Sequence, residues 1–237
     1  MNEARPNGAI LTVEGVHAYY GQAHILADIA LQVRPGEVVV LLGRNGAGKS
    51  TTLKTIMGLV AATRGKVEFL GRDITQAPAH VVARMGLGYV PEERRIFTEL
   101  TVLENLEVGR QKPREGVPAW TEERLFALFP NLAEMRDRPG GRMSGGEQQM
   151  LTIARTLMGN PALVLLGLAP VIVDQMADTI RELKEEGIAI LLSEQNLAFA
   201  TMISDRAYII EKGRIRYEGT MADLNEDEAA RAAYLTV

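Results

Sequence analysis

The sequence contains no cysteine, and its three histidines, His17, His24 and His80, are scattered along 237 residues. Disulfide bonds and thiolate metal sites are therefore excluded, and a histidine metal centre is not expected. No apolar run reaches the ~18 residues that a membrane-spanning helix needs, and the polar start at residues 1–8 does not have a signal-peptide profile. Because the formal net charge is −4, a broad nucleic-acid-binding face is not expected either.

The remaining composition is that of a globular protein, with 46% hydrophobic and 24% charged residues. Alternating segments at residues 10–16 and 29–33 predict a small antiparallel sheet, with a turn at Tyr19-Tyr20-Gly21. After these, apolar strand segments alternate with helical segments along the chain. This order predicts a largely parallel sheet with right-handed crossovers.

The stretch Gly43-Arg44-Asn45-Gly46-Ala47-Gly48-Lys49-Ser50-Thr51 matches the phosphate-binding loop pattern G-x-x-x-x-G-K-[ST]. An apolar strand precedes it and a helix-compatible segment follows it. The glycines let backbone amides approach phosphate oxygens, and the helix points its positive end at the same anion. Lys49 would neutralise the β- and γ-phosphates, and the Ser50 hydroxyl would bind Mg²⁺. A chance match has odds on the order of 0.01, so we expect the chain to bind a nucleoside triphosphate.

A second motif follows a proline-punctuated region, at about residues 91–142, that predicts an α-helical insertion. Met143-Ser144-Gly145-Gly146-Glu147-Gln148-Gln149 opens a long helix there. Taken alone, this stretch is a helix start in which Ser144 caps the helix and Glu147 completes a capping box. Together with the upstream phosphate loop and the helical insertion, it resembles the signature motif of ABC-type ATPases.

This resemblance extends from Leu11 to Leu235. It implies that two subunits pair head to tail, with each ATP between the phosphate loop of one subunit and Ser144, Gly145 and Gly146 of the other. A helix N-terminus with its backbone amides supplies a second anion clamp in such a pair. The phosphate-loop residues that the resemblance assigns to ATP are Gly43, Asn45, Gly46, Ala47, Gly48, Lys49, Ser50 and Thr51.

Three further positions match the family one at a time. Tyr20 corresponds to the aromatic residue that stacks on adenine, although Tyr19 is adjacent and only one of the two can face the base. Glu92 stands where most members carry the glutamine of the loop that couples to membrane subunits, and Gln195 stands in place of the switch histidine. The resemblance assigns Glu92 and Gln195 to the positioning of water and Mg²⁺, and makes Ser50 and Glu92 the metal-binding residues.

The Val-Pro-Glu and Glu-Gln-Asn variants around Glu92 and Gln195 are similar to those of importers for branched-chain amino acids. Urea importers are near relatives with a similar switch. The neighbouring charges at residues 93–95 are interpreted instead as a solvated run.

The chain departs from the family after the strand at residues 163–166. There the family carries Asp-Glu-Pro, whose Asp holds Mg²⁺ through water and whose Glu polarises the attacking water. Here Leu166 is followed by Gly167-Leu168-Ala169-Pro170, so that about five residues and about 15 Å of chain reach are absent. No nearby acid is expected to replace them, because Asp174 lies within the next helix and Glu194 at the exit of the next strand. Either the protein lacks this loop or the sequence omits it; an intact mass compared with 25.9 kDa distinguishes the two.

The expected fold is α/β, a P-loop NTPase core of the ABC ATPase type with a mostly parallel sheet, a small antiparallel β subdomain and an α-helical subdomain. We expect a single domain over residues 1–237, with the nucleotide-binding core at about 1–90 and 160–237 and the helical subdomain, with the signature motif, at about 91–159. The resemblance implies the ATP-hydrolysing motor subunit of an ABC importer, with branched-chain amino acids as the expected substrate.

The expected cofactors are ATP and Mg²⁺. The expected partners are a second ABC ATPase subunit, in a homodimer or a heterodimer, and transmembrane permease subunits, with no nucleic acid. The expected location is the cytoplasm, peripheral on the inner face of the cell membrane.

Two other functions stay open at the level of the sequence. A nucleotide-binding clamp without hydrolysis is favoured if the carboxylates after Leu166 are truly missing. A soluble family member acting on DNA or ribosomes is the other; such proteins usually carry tandem domains, coiled-coil insertions or basic extensions, which this sequence lacks.

Overall fold

The computed structural model describes residues 8–114, 118–168 and 173–234 of the chain. Ala169 and Pro170, and both ends of the expected domain, lie outside the described residues. The strands are β1 (Leu11–Tyr20), β2 (Ala23–Val33), β3 (Val38–Leu42), β4 (Ala62–Phe69), β5 (Arg72–Asp73), β6 (Leu87–Val90), β7 (Leu163–Gly167), β8 (Ala189–Glu194), β9 (Arg206–Glu211) and β10 (Arg214–Thr220).

Helices connect these strands and fill the region between β6 and β7. They are α1 (Lys49–Ile56), α2 (Ala79–Arg84), α3 (Val102–Gly109), α4 (Glu122–Leu128), α5 (Pro130–Ala133), α6 (Gly145–Leu157), α7 (Val173–Glu185), α8 (Leu197–Ile203), α9 (Met221–Glu226) and α10 (Glu228–Tyr234), with a 3₁₀ turn at Gly140–Arg142.

The larger sheet has six strands in the order β10-β9-β3-β8-β7-β6. Its strands run parallel except β10, which pairs antiparallel with β9 in a hairpin. A second sheet, antiparallel, has the order β2-β1-β4-β5. The predicted fold class is confirmed, because a mostly parallel sheet, a small antiparallel sheet and a helical region are all present.

The strand before the phosphate loop is buried on both faces, as its continuous apolar sequence requires. Val38, Val40 and Leu42 face a core that includes the helices around α6, whereas Val39 and Leu41 face a second core beneath the antiparallel sheet. Successive side chains of a strand point to opposite faces. The phosphate loop therefore starts from a strand that both layers hold in place.

Helix α6 begins with the capping box that the sequence predicts. The Glu147 carboxylate accepts a hydrogen bond from the Ser144 backbone N–H at 2.7 Å, and the Ser144 hydroxyl accepts one from the Glu147 N–H at 3.4 Å. The apolar side of the helix, including Leu151 and Leu157, is buried against the parallel sheet. Packing therefore fixes the direction in which the signature motif faces.

One predicted turn is misplaced by two residues. Strand β1 continues through Tyr19 and Tyr20, and Tyr20 pairs with Ala23 across a two-residue connection. Gly21, at φ +58°, starts the turn, since a short hairpin loop needs left-handed backbone there. Both tyrosines consequently belong to the strand, where they point in different directions.

Candidate nucleotide-binding site

The phosphate loop leaves β3 and is packed so closely that glycine is required at its first position. A Cβ added to Gly43 would lie 2.4 Å from the Ile210 carbonyl oxygen on β9. Gly46 and Gly48 adopt φ values of +78° and +114°, which other residues rarely reach. Glycine is therefore required at Gly43 by a tertiary contact, and at Gly46 and Gly48 by the backbone conformation.

Helix α1 begins at this loop with its first backbone amides free of any side-chain cap. Gly48 is the N-cap, no side chain accepts a hydrogen bond there, and the first turn contains no acidic residue. The first amides of a helix have no partner within the helix, and the helix dipole is positive at this end. The start of α1 is therefore suited to phosphate oxygens.

The Lys49 ammonium lies within its own loop and donates hydrogen bonds to the Gly43 carbonyl at 2.7 Å and the Arg44 carbonyl at 3.0 Å. Burial lowers the pKa of Lys49, and the carboxylates of Glu92 and Glu194 oppose that shift. A cation held by two backbone carbonyls in a partly dry site is well suited to meet the charge of a triphosphate.

A cavity of about 360 Å³ opens in front of the loop. It brings together nine of the residues that the sequence assigns to ATP, Mg²⁺ or water, whereas Gly43 and Ala47 lie behind the loop as its buried support. The full lining is Tyr20, Ile25, Asn45, Gly46, Gly48, Lys49, Ser50, Thr51, Glu92, Leu168, Ser193, Glu194 and Gln195.

The two neighbouring tyrosines are separated by the strand on which they lie. Tyr19 stacks on His24, with ring centroids 4.3 Å apart, whereas Tyr20 lines the cavity and is about half exposed at 49%. Adjacent side chains of a strand point to opposite faces, so only Tyr20 is available to a base in the cavity. Its stacking on adenine remains a prediction.

The structure places Glu194 at the cavity, although the sequence assigned it no role there. This residue ends β8 opposite Leu42, the last residue of β3, and its side chain lines the cavity. Carboxyl ends of neighbouring parallel strands meet at one edge of the sheet, which is where ligands of such folds bind. That rule was the signal in the sequence that could have found Glu194.

The residues present fit a triphosphate with a magnesium ion. Uncapped helix amides, Lys49 and the glycine cradle match phosphate oxygens, and the Ser50 hydroxyl is an oxygen ligand at the start of α1. Among the described residues no group of three or more histidines or acids could hold a metal by itself. Mg²⁺ usually binds through phosphates, water and one or two protein oxygens, so this sparse donor set suits it.

The signature residues lie apart from this cavity. Ser144, Gly145 and Gly146 form the start of α6, and none of them is among the residues that line the cavity in the described part of the chain. Ser144 is exposed. One chain alone therefore does not bring its signature motif and its phosphate loop together.

The interpretation of residues 93–95 as a solvated run is wrong for Arg94. A Cβ on Gly145 would lie 3.0–3.2 Å from the Arg94 guanidinium, which therefore covers that glycine. The Arg94 carbonyl also accepts a hydrogen bond from Thr152 of α6 at 3.0 Å. Glu93 does remain exposed, with its carboxylate 3.6 Å from the Lys54 ammonium. The loop after β6 is thus attached to the signature helix.

Fold and phosphate loop together define a P-loop nucleoside triphosphatase. The family model described as ABC transporter matches residues 26–167, which is more than half of the chain. The chain belongs to the ABC transporter family and is an ATPase of that family. No helix in the described ranges has both the length and the apolar character needed to cross a bilayer.

Two curated relatives are similar over nearly the whole chain. The high-affinity branched-chain amino acid transport ATP-binding protein BraG of Pseudomonas aeruginosa is 41% identical, covering 95% of this chain and 99% of that protein. The lipopolysaccharide export system ATP-binding protein LptB of Haemophilus influenzae is 36% identical, covering 96% and 97% respectively.

Solved structures agree with this assignment. A nucleotide-free ATP-binding cassette from an ABC transporter has a TM-score of 0.79 at 29% identity, covering 93% of this chain and 96% of that chain. An ATP-binding cassette in its ADP conformation has a TM-score of 0.77, again at 29% identity, with the same coverage. The resemblance inferred from the two motifs is therefore confirmed.

Proposed function

We propose that this chain is the ATP-hydrolysing motor subunit of an importer for branched-chain amino acids. The observation that carries the proposal is the 41% identity to BraG over almost the full length of both chains. The Glu-Gln-Asn end of β8 and the Val-Pro-Glu end of β6, both at the cavity, support the same subgroup.

The proposed nucleotide contacts follow from the cavity. Tyr20 stacks on the base, and Lys49 with the amides at the start of α1 binds the phosphates. Ser50 and Glu92 hold Mg²⁺, which supplies charge neutralisation on the phosphate oxygens, and Gln195 orients the attacking water. These contacts neutralise the triphosphate with one lysine, a helix end and the metal.

The proposed assembly is a head-to-tail pair of ATPase subunits bound to transmembrane permease subunits on the inner face of the cell membrane. This proposal is supported by the position of Ser144, which does not line the cavity of its own chain. The signature motif is therefore available to a nucleotide held by a second subunit. A dimer formed by the purified chain alone, with ATP and Mg²⁺, would identify the second subunit as another copy of this chain.

Lipopolysaccharide export is the competing substrate assignment, because the LptB relatives are 33–36% identical. A nucleotide-binding clamp is the competing mechanism, because the acidic segment after Leu166 is absent. Both alternatives make measurable predictions that differ from those of an importer motor.

The function is tested by deleting the gene and measuring uptake of labelled leucine, isoleucine and valine. We expect uptake of these three to fall to background and to return with the wild-type gene but not with Lys49→Ala. Glutamate uptake serves as the control and should be unchanged. Normal branched-chain uptake together with a defect in lipopolysaccharide at the cell surface would instead assign the chain to export.

A further inference from the structure

The carboxyl end of β8 places an acid beside the phosphate loop. Glu194 is the last residue of β8, and it pairs in register with Leu42, immediately before Gly43. Strand β8 is the direct neighbour of β3 in the sheet, whereas β6, which precedes Glu92, is three strands away. Of the two acids that line the cavity among the described residues, Glu194 thus lies on the strand adjacent to the phosphate-loop strand.

The strand on the other side of β8 contributes no acid in the described part of the chain. Strand β7 ends at Gly167, which pairs with Ser193, and Leu168 then lines the cavity. This is the edge of the sheet from which the family's acidic segment would otherwise extend. The described cavity wall there is apolar, so any carboxylate chemistry on these residues has to come from β8 or from the loop after β6.

The Glu194 side chain is held in a fixed orientation by the backbone N–H groups of the two residues that follow it. Its Oε1 accepts hydrogen bonds from the Gln195 N–H at 2.6 Å and the Asn196 N–H at 2.9 Å. The same bonds start the turn into α8, where Asn196 caps the helix. Its other oxygen, Oε2, makes no hydrogen bond with the described residues. One oxygen therefore positions the group and the other is available to a water molecule.

We propose that Glu194 is a catalytic residue of this chain, whose carboxylate orients the attacking water and accepts its proton in place of the acidic segment that is absent after Leu166. The proposal rests on the proposed function as an ATP-hydrolysing subunit. It assigns Glu92, the other acid of the cavity, to the metal rather than to the water.

The chemical step is ordinary hydrolysis of the terminal phosphoanhydride. The water oxygen forms a bond to the γ-phosphorus, and the bond from that phosphorus to the β,γ-bridging oxygen breaks. The electron pair stays on ADP, which leaves with inorganic phosphate. Glu194 takes one proton from the water during attack and releases it to solvent afterwards. Lys49 neutralises charge on the bridging side, and the Gln195 amide helps to orient the water.

The test is Glu194→Gln. The amide keeps an oxygen that can accept both backbone hydrogen bonds, so the turn should be preserved, but it is a poor base. We expect steady-state phosphate release to fall by about 10²-fold or more. ATP affinity, measured by equilibrium titration of the purified protein, should stay the same or increase because a negative charge beside the triphosphate is removed.

Two matched variants make the outcome specific. Glu93→Gln removes an exposed carboxylate outside the cavity lining and should leave both rate and affinity unchanged. Glu92→Gln should weaken the dependence of the rate on Mg²⁺ concentration, with a smaller loss of the maximal rate than Glu194→Gln. Wild-type turnover in Glu194→Gln, or the larger loss in Glu92→Gln, would overturn the proposal.

A chain with a restored acidic segment provides an independent test of the role of Glu194. In a chain with Asp-Glu-Pro-Ser-Glu inserted after Leu166, Glu194→Gln should cost less than about threefold, because the inserted Glu takes over the water. An equally large loss in both backgrounds would show that Glu194 serves another purpose. Absence of ATP binding by the wild-type chain would instead contradict the proposed function itself, which separates the two failures.

Discussion

The Lys49 ammonium illustrates how one residue is prepared for its task by its surroundings. The loop that carries it also supplies the two carbonyl oxygens that hold it, and burial lowers its pKa against the opposing pull of Glu92 and Glu194. A triphosphate would replace these weak partners with strong ones. The Lys49 ammonium therefore has hydrogen-bond partners without a ligand, and it would gain stronger, charged partners when a triphosphate binds.

Lys49→Ala should weaken ATP binding by about 100-fold, because a charge-assisted contact in a partly desolvated site contributes about 3 kcal/mol. The measurement is equilibrium titration with a fluorescent ATP analogue. Lys54→Ala is the matched control, since Lys54 lies on the same helix, pairs with Glu93 and does not line the cavity. Unchanged affinity in Lys49→Ala would contradict the assignment of the phosphate loop.

A second residue-scale feature joins the two sheets. The Arg206 guanidinium pairs with Glu37 at 2.6 Å, and the two side chains are only 12% and 10% exposed. Arg206 also donates to the Gln32 carbonyl of β2 at 2.7 Å, while the Tyr208 hydroxyl donates to Glu218 at 2.8 Å. These bonds connect β9 and β10 of the parallel sheet to β2 of the antiparallel one.

Arg206→Ala should lower the free energy of unfolding by about 3–5 kcal/mol, because it leaves the Glu37 carboxylate buried without its partner. Urea denaturation followed by circular dichroism measures the change. Arg181→Ala removes an exposed pair with Asp178 on α7 and should leave the urea midpoint unchanged. Equal effects of the two substitutions would mean that the buried pair does not hold the sheets together.

At the scale of the element, the end of β7 differs most from the family pattern. Gly167 continues the strand and accepts a hydrogen bond at its carbonyl from the Gln149 side chain of α6 at 3.3 Å. The other polar atom of that side chain, Oε1, is buried and has no partner among the described residues. The Gln149 side chain thus connects α6 to the end of β7.

Inserting Asp-Glu-Pro-Ser-Glu between Leu166 and Gly167 should raise the rate of ATP hydrolysis further by about 10-fold, because Glu194 already serves the water in the shorter chain and the insertion adds an anchor for Mg²⁺. The added Asp anchors Mg²⁺ through water and the added Glu polarises the attacking water, and phosphoryl transfer depends on such positioning. ATP affinity should change little, because Lys49 and the α1 amides already bind the phosphates. Phosphate release under single-turnover conditions is the measurement.

The intact mass of each protein has to accompany that comparison. Equal rates from the longer chain and from a shorter chain whose mass matches 25.9 kDa would contradict the expectation that the shorter connection slows hydrolysis. An insertion of equal length without acids, Asn-Gln-Pro-Ser-Gln, separates the chemistry of the carboxylates from the length of the loop.

At the scale of the whole molecule, the start of α1 and the start of α6 lie apart, which is the basis for the proposed second subunit. Helix α6 packs on one hydrophobic core of the molecule and α1 on the other, so neither helix start can move to the other within one chain without disrupting a core. Two chains placed head to tail would satisfy both sites at once. A ligand shared between subunits in this way couples assembly to nucleotide binding.

ATP with Mg²⁺ should therefore shift the chain towards a dimer, and Ser144→Arg should prevent that shift by placing bulk and charge at the start of α6. Light scattering at several protein concentrations, with and without nucleotide, measures it. Thr220→Arg is a control at another exposed helix start, that of α9, and should dimerise as the wild type does. The same oligomer in every condition would rule out the head-to-tail pair for this chain alone and leave pairing with a different subunit.

Local patterns in the sequence determined the phosphate loop, the capping box at Ser144 and the succession of strands and helices. These features depend on neighbouring residues: glycines at left-handed positions, a hydroxyl three residues before a carboxylate, and apolar runs of strand length. Tyr20 and Gln195 could also be matched to family positions through the resemblance of the residues around them. For these residues the chain order carries the physical information.

Only the tertiary structure decided which of several plausible side chains meet. It separated Tyr20 from Tyr19 through the pleat of β1, covered Gly145 with the Arg94 guanidinium, and brought Glu194 beside the phosphate loop. The reason is that β3 and β8 are neighbours in the sheet although about 150 residues separate them in sequence, and pairing across that distance leaves no local pattern.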